Sequence, residues 1–178
     1  MRICYALVCI VCAMLARPSA SVAQADVSSP RMIAVDGVQM RVWTAGIEGR
    51  KAGQAVVVLE AGAGADLETW KPIFPQVSRI GAVVAYDRRA LGESEADTAP
   101  PTFTRTAQTL HAVLQALKVP PPYVLVGHSL GGVFIRGFAS MYPGEAAGMV
   151  FLDVPDFEST REELSLIHIL TLPTILRV

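Results

Sequence analysis

Apolar and polar residues alternate through RMIAVDGVQMRVWTAG, residues 31–46, on both sides of Asp36-Gly37. A period of two predicts half-buried strands, and Asp-Gly readily takes the positive φ angles of a two-residue hairpin turn. Two antiparallel strands are therefore expected here. The runs QAVVVLEAG (54–62) and GAVVAYDR (81–88) show no alternation and are rich in β-branched residues. That is the pattern of strands covered on both faces of a parallel sheet. YVLVGHS (123–129) and GMVFLDV (148–154) have the same character.

Between these runs the period changes to that of a helix. In ADLETWKPIFPQVSRI (65–80), Asp66 is a candidate N-cap and Leu67, Trp70 and Phe74 fall on one stripe, while Pro72 and Pro75 predict a short or broken helix. TFTRTAQTLHAVLQALKV (102–119) is cleaner, with Phe103, Ala107, Leu110, Leu114 and Leu117 at helical spacing and Pro120 to Pro122 stopping it. LGGVFIRGFASMYPGEA (130–146) predicts a helix with Val133, Phe134 and Phe138 on its apolar face, ended at Pro143-Gly144. Strand and helix thus alternate after the hairpin. The expected class is α/β: a mostly parallel, doubly wound sheet with right-handed crossovers and an N-terminal antiparallel hairpin.

The first 25 residues change this picture. Met1-Arg2, the apolar ICYALVCIVCAMLA, then Arg17, Pro18 and SASVAQA have the order of a secretory signal peptide, with Ala23 and Ala25 as the small residues at a cleavage site. The apolar run is short of the roughly 20 residues a spanning helix needs. The expected mature start is near Asp26, in a secreted or periplasmic protein with no stable membrane insertion after cleavage. All three cysteines, Cys4, Cys9 and Cys12, fall in this leader, so thiol and disulfide chemistry are excluded from the mature chain. The formal net charge is −1 and the charges are scattered. No basic stripe suits a nucleic acid; a small-molecule substrate is the expected partner. The chain beyond Asp26 is long enough for one domain with one core.

The chemistry is concentrated in GHSLG (127–131). Glycines two residues either side of Ser129, with a buried strand before and an amphipathic helix after, predict a sharp turn that exposes the hydroxyl. A helix N-terminus at the same place lends positive charge to a developing oxyanion. A glycine-rich turn that merely packs helix against strand is the plain alternative.

Three separated motifs resemble the α/β-hydrolase superfamily, in its branch of lipases, esterases, epoxide hydrolases and peptidases, over nearly everything from Met32 to about Asp156. GHSLG resembles its nucleophile elbow. LEAGAGAD (59–66) stands where the family has a His-Gly-x-Gly loop, with Ala61 in place of the histidine and Glu60 before it. YDRRALGESE (86–95) is similar to the Tyr-Asp-Arg-x-Gly-x-Gly-x-Ser segment and departs from it at Ala90, where glycine is usual. The resemblance implies Ser129 as nucleophile, the backbone N–H groups of Ala63 and Leu130 as the oxyanion hole, Asp87 and Arg88 fixing a loop beside the site, and no cofactor or metal. An exposed charge run is the alternative for Arg88 and Arg89.

The resemblance also places acid and histidine after the serine. Asp153 is where some members carry the acid; Asp156 is a weaker candidate. His111 and His128 precede Ser129, so only His168 comes after it. It lies in LSLIHILTLPTILRV (164–178), an apolar stretch unlike what comes before. Leu164 to Ile169 is the translation of CTG TCT CTT ATA CAC ATC, bases that resemble the mosaic-end adapter of transposase-based sequencing libraries. A further buried strand is the alternative. The expected organisation is a signal peptide over 1–25, a partial hydrolase domain over 26–163 lacking its C-terminal strands, and a non-native tail over 164–178 in which His168 is an accident. Two functions remain: an exported serine hydrolase acting on a carboxylic ester or related acyl group, or a catalytically incomplete hydrolase-fold binding module.

Overall fold

The structure, a computed structural model, describes residues 29–99, 101–154 and the backbone of 175–177. The expected leader, Asp156, His168 and the tail apart from 175–177 lie outside the described residues.

The hairpin forms as its turn chemistry requires. β1 (Arg31–Val35) and β2 (Val38–Ala45) pair antiparallel, with Val35 opposite Val38, and the turn between them takes φ 50° at Asp36 and 78° at Gly37. β3 (Val56–Glu60), β4 (Val83–Tyr86), β5 (Tyr123–His128) and β6 (Ala146–Leu152) are the four continuous apolar runs. A seventh strand, β7 (Ile175–Arg177), runs parallel to β6. The sheet order is β1-β2-β4-β3-β5-β6-β7; β2 meets β4 antiparallel and every later pair is parallel.

Two apolar layers cover the sheet, and strand residues divide between them with a period of two. Val56, Val58, Val84, Tyr86, Tyr123 and Leu125 join one core with Leu110, Leu114, Ile135 and Phe138. These last four come from α2 (Phe103–Ala116) and α3 (Gly131–Met141). Leu59, Val83 and Ala85 join the other, with Trp43, Leu67, Trp70 and Phe74. The broken helix supplies that second layer as a 3-10 turn at Leu67–Trp70 and the short α1 (Phe74–Val77); Asp66 caps it by accepting from the Glu68 N–H at 3.0 Å. Trp43 and Phe74 stack with centroids 3.9 Å apart.

The predicted stripe of α2 is rotated slightly. Ala107, Leu110, Val113 and Leu114 are buried, while Phe103 is 38% exposed at the first turn, where it leans on Phe134. Thr102 supplies the N-cap, accepting from the Arg105 N–H at 3.1 Å. The C-terminal ends of β3, β4 and β5 therefore emerge side by side, in register from Val57 opposite Val83 to Glu60 opposite Gly127. This is the edge on which an α/β sheet builds its sites.

Candidate active site

The β5–α3 junction is held tight by what its glycines exclude. A Cβ on Gly127 would lie 2.6 Å from the Gly131 carbonyl carbon, across the turn as the motif predicts. The crowding at Gly131 comes from elsewhere: its Cβ would lie 2.2 Å from the Glu60 carbonyl oxygen on the neighbouring strand. Gly132, which sequence reasoning did not single out, would put a Cβ 2.3 Å from a Val154 methyl. Gly131→Ala is expected to cost roughly 3 kcal/mol or more, because backbone rather than a flexible side chain must move. A melting temperature within about 2 °C of the parent chain, where that cost predicts a drop of around 10 °C, would contradict it.

Ser129 occupies the apex of this turn at φ 51°, half-buried. A non-glycine residue in the left-handed region is strained. The conformation is held from both sides, since the Ser129 N–H donates to the Leu152 carbonyl and its own carbonyl accepts from the Gly132 N–H, both at 2.9 Å. Leu130 comes directly after it and is the N-cap of α3. The loop after β3 lies against the elbow, where a Cβ on Gly62 would be 3.3 Å from the Ser129 Cβ and 3.2 Å from His128 Nδ1. Ala63, next in the chain, is exposed. Ala63 and Leu130 both border a pocket of about 350 Å³. Asp153 lies just past β6 at φ 48°, exposed, beside the strand that carries Ser129.

What fixes the Gly62 loop is a buried ionic cluster. Arg88 is 8% exposed, so it is not part of an exposed charge run. Its guanidinium donates to Glu60 Oε1 and to the Ala61 carbonyl, each at 2.6 Å, and to the Gly62 carbonyl. Phe134 packs on it with its ring centre 5.0 Å away. The Tyr86 hydroxyl donates to Glu60 Oε2 at 2.6 Å. Burial pushes the Glu60 carboxyl above its ordinary value, against the pull of the Arg88 charge and the Tyr86 hydrogen bond. Burial, and then the Glu60 charge, push the Tyr86 hydroxyl well up. Sequence reasoning named Glu60 only as the residue before Ala61 and gave it no role. The signal was present: a charged residue ends an otherwise apolar buried strand, and such a residue needs a partner.

Asp87 braces the neighbouring loop, as expected. Its carboxylate accepts from the Leu67 N–H at 2.7 Å and the Glu93 N–H at 2.9 Å. Gly92 leaves room for it, since a Cβ there would fall 2.1 Å from Asp87 Oδ2. Ala90, the departure from the family pattern, is forced to φ 64°, the region glycine would fill without strain. Of the histidines, His111 lies 3.1 Å from Glu145 and stacks on Tyr142, away from the elbow motif. His128 Nδ1 is buried and has no partner among the described residues.

Comparison with known proteins agrees with this fold. A model of the alpha/beta hydrolase fold family matches residues 54–169. Uncharacterized protein YqjL of Bacillus subtilis (strain 168) is 36% identical over 105 residues, 58% of this chain and 42% of its own length. The chain spans less than half the length of the curated relatives it matches. Among solved structures, Epoxide Hydrolase A from Mycobacterium thermoresistibile is 26% identical with a TM-score of 0.63, over 76% of this chain and 44% of the other. A "predicted CIB-like hydrolase" from Thermoplasma acidophilum, 20% identical, shares the fold with a TM-score of 0.69 over 85% and 73%. By the family model's match over most of the described residues, the chain belongs to the α/β hydrolase fold family.

Proposed function

We propose that the protein is an exported serine hydrolase acting on a carboxylic ester or related acyl substrate, with Ser129 as nucleophile. The carrying observation is the strained serine at φ 51° in a turn crowded on three sides, with the Gly62 loop against it and Ala63 and Leu130 on the adjoining pocket. In the proposed reaction Ser129 Oγ attacks the acyl carbon while its proton passes to a histidine. The N–H groups of Ala63 and Leu130 take the charge on the carbonyl oxygen, and the alcohol leaves with the histidine's proton. Water then attacks the acyl-enzyme, giving its proton to the same base, which returns it to Ser129 Oγ as the acyl–Oγ bond breaks and the acid departs. Asp153 is the candidate acid that orients the base.

The test is covalent labelling. A serine-directed phosphonate is expected to modify the Ser129 peptide, read by mass spectrometry, in the product of the uninterrupted genomic frame and not in the 178-residue chain, whose proposed foreign tail supplies no base. Labelling of neither, with the fold intact by circular dichroism, would reduce the protein to a binding module. The tail is proposed to be foreign, so His168→Ala is expected to leave ester turnover unchanged. Turnover abolished by that substitution would assign the base to the tail.

A further inference from the structure

The pocket beside Ser129 holds more positive than negative charge. Arg88, Arg89 and Arg105 all line it, and an arginine cannot shed its proton. Arg88 is balanced by Glu60 behind it, at 2.6 Å. Arg89 and Arg105 share one carboxylate, and indeed one oxygen of it: Asp97 Oδ2 lies 2.8 Å from Arg89 Nη1 and 2.5 Å from Arg105 Nη2. The other acid near Arg89 is Asp36, 3.6 Å away with its side chain 70% exposed, where water and salt screen it. Arg89 Nε is buried and has no hydrogen-bond partner among the described residues.

Most of the rest of the wall is apolar, with Ala90, Leu91, Pro101, Leu130 and Phe134 in it, beside the neutral hydroxyl residues Tyr86, Thr106 and Thr109. Charge in such surroundings acts more strongly than in water. Two guanidinium groups meeting one oxygen leave one unit of charge and several donors unmatched, which suits a single carboxylate. Leu130 and Ala63 join this pocket to the elbow.

We propose that the pocket binds a carboxylate, and that the substrates are acyl esters with an apolar body ending in a carboxylate that meets Arg89 and Arg105. Calling the ligand a substrate rests on the serine-hydrolase reading; the anion site does not. The ester carbonyl lies at Ser129, and the carbon chain runs along the Leu91 and Phe134 side of the pocket to the arginines.

The experiment compares hexanoate with its neutral counterpart hexanamide by NMR titration of the 178-residue chain. Hexanoate is expected to bind about tenfold more tightly, the gain of a charge-assisted pair over a neutral one. Arg89→Gln and Arg105→Gln are each expected to bring the ratio towards one, and Arg89→Lys to keep most of it. A ratio near one in the parent chain overturns the proposal without any variant being made, and so does a ratio that both glutamine variants leave unchanged. In turnover, the nitrophenyl monoester of adipic acid is expected to exceed nitrophenyl hexanoate about tenfold in kcat/KM, for the same reason. The two readings fail separately. Carboxylate preference without phosphonate labelling supports the anion site and removes the enzyme, while labelling without preference overturns the site and keeps the enzyme.

Discussion

Ser129→Ala in the product of the uninterrupted genomic frame is expected to lower ester turnover by about six powers of ten, the scale of loss when a serine hydrolase gives up its nucleophile. The expectation rests on the proposed role of Ser129, and a companion variant separates chemistry from backbone. Alanine at φ 51° keeps the strain of the serine, so its stability should stay within about 0.5 kcal/mol of the parent chain. Ser129→Gly should be equally inactive, yet more stable than Ser129→Ala by up to about 1 kcal/mol, because glycine enters the left-handed region without steric cost. Steady-state kinetics and urea unfolding measure the two quantities. Turnover surviving in Ser129→Ala would eliminate the serine as nucleophile.

The second large effect is expected at Arg88. Arg88→Ala strands the Glu60 carboxylate in the interior and strips donors from the Ala61 and Gly62 carbonyls. Removing one partner of a buried pair costs about 3–5 kcal/mol. Glu60→Gln leaves the opposite charge without its counterpart and should cost a similar amount. Combining Glu60→Gln with Arg88→Met removes both charges and should recover at least half of the summed loss, since apolar packing often replaces a buried pair at little cost. Activity should not recover with it, because the Gly62 loop still lacks the donors that hold it. Strict additivity of the two losses in urea unfolding would mean that Glu60 and Arg88 do not act as a pair.

The sequence carried the local half of this structure. Period-two runs, Asp36-Gly37 and the proline breaks are short-range signals, and each specifies its element through its own steric preference. GHSLG likewise states its turn, since the crowding at Gly127 arises within five residues. The contacts that complete the site are of another kind. Glu60 meets Arg88 across 28 residues, and Asp97 gathers two arginines from different segments. The first pairing arises from strand order, with β3 beside β4, and the second from the fold of the β4–α2 connection, which brings residues eight apart on either side of Asp97 together. The clash at Gly131 escapes the motif for the same reason, because the atom it avoids belongs to the adjacent strand. Phe103 sits on the predicted stripe yet at the helix's first turn, where periodicity alone does not say how far the core extends.

The three crowded glycines also separate shape from reactivity at the elbow. Gly127, Gly131 and Gly132 each abut another part of the chain, and the apex residue is tied by main-chain bonds to Leu152 and Gly132. None of these restraints involves the side chain at position 129. The bend is a socket set by backbone and glycines, and a cysteine or aspartate placed at 129 is expected to meet the same main-chain restraints and the same neighbouring helix end.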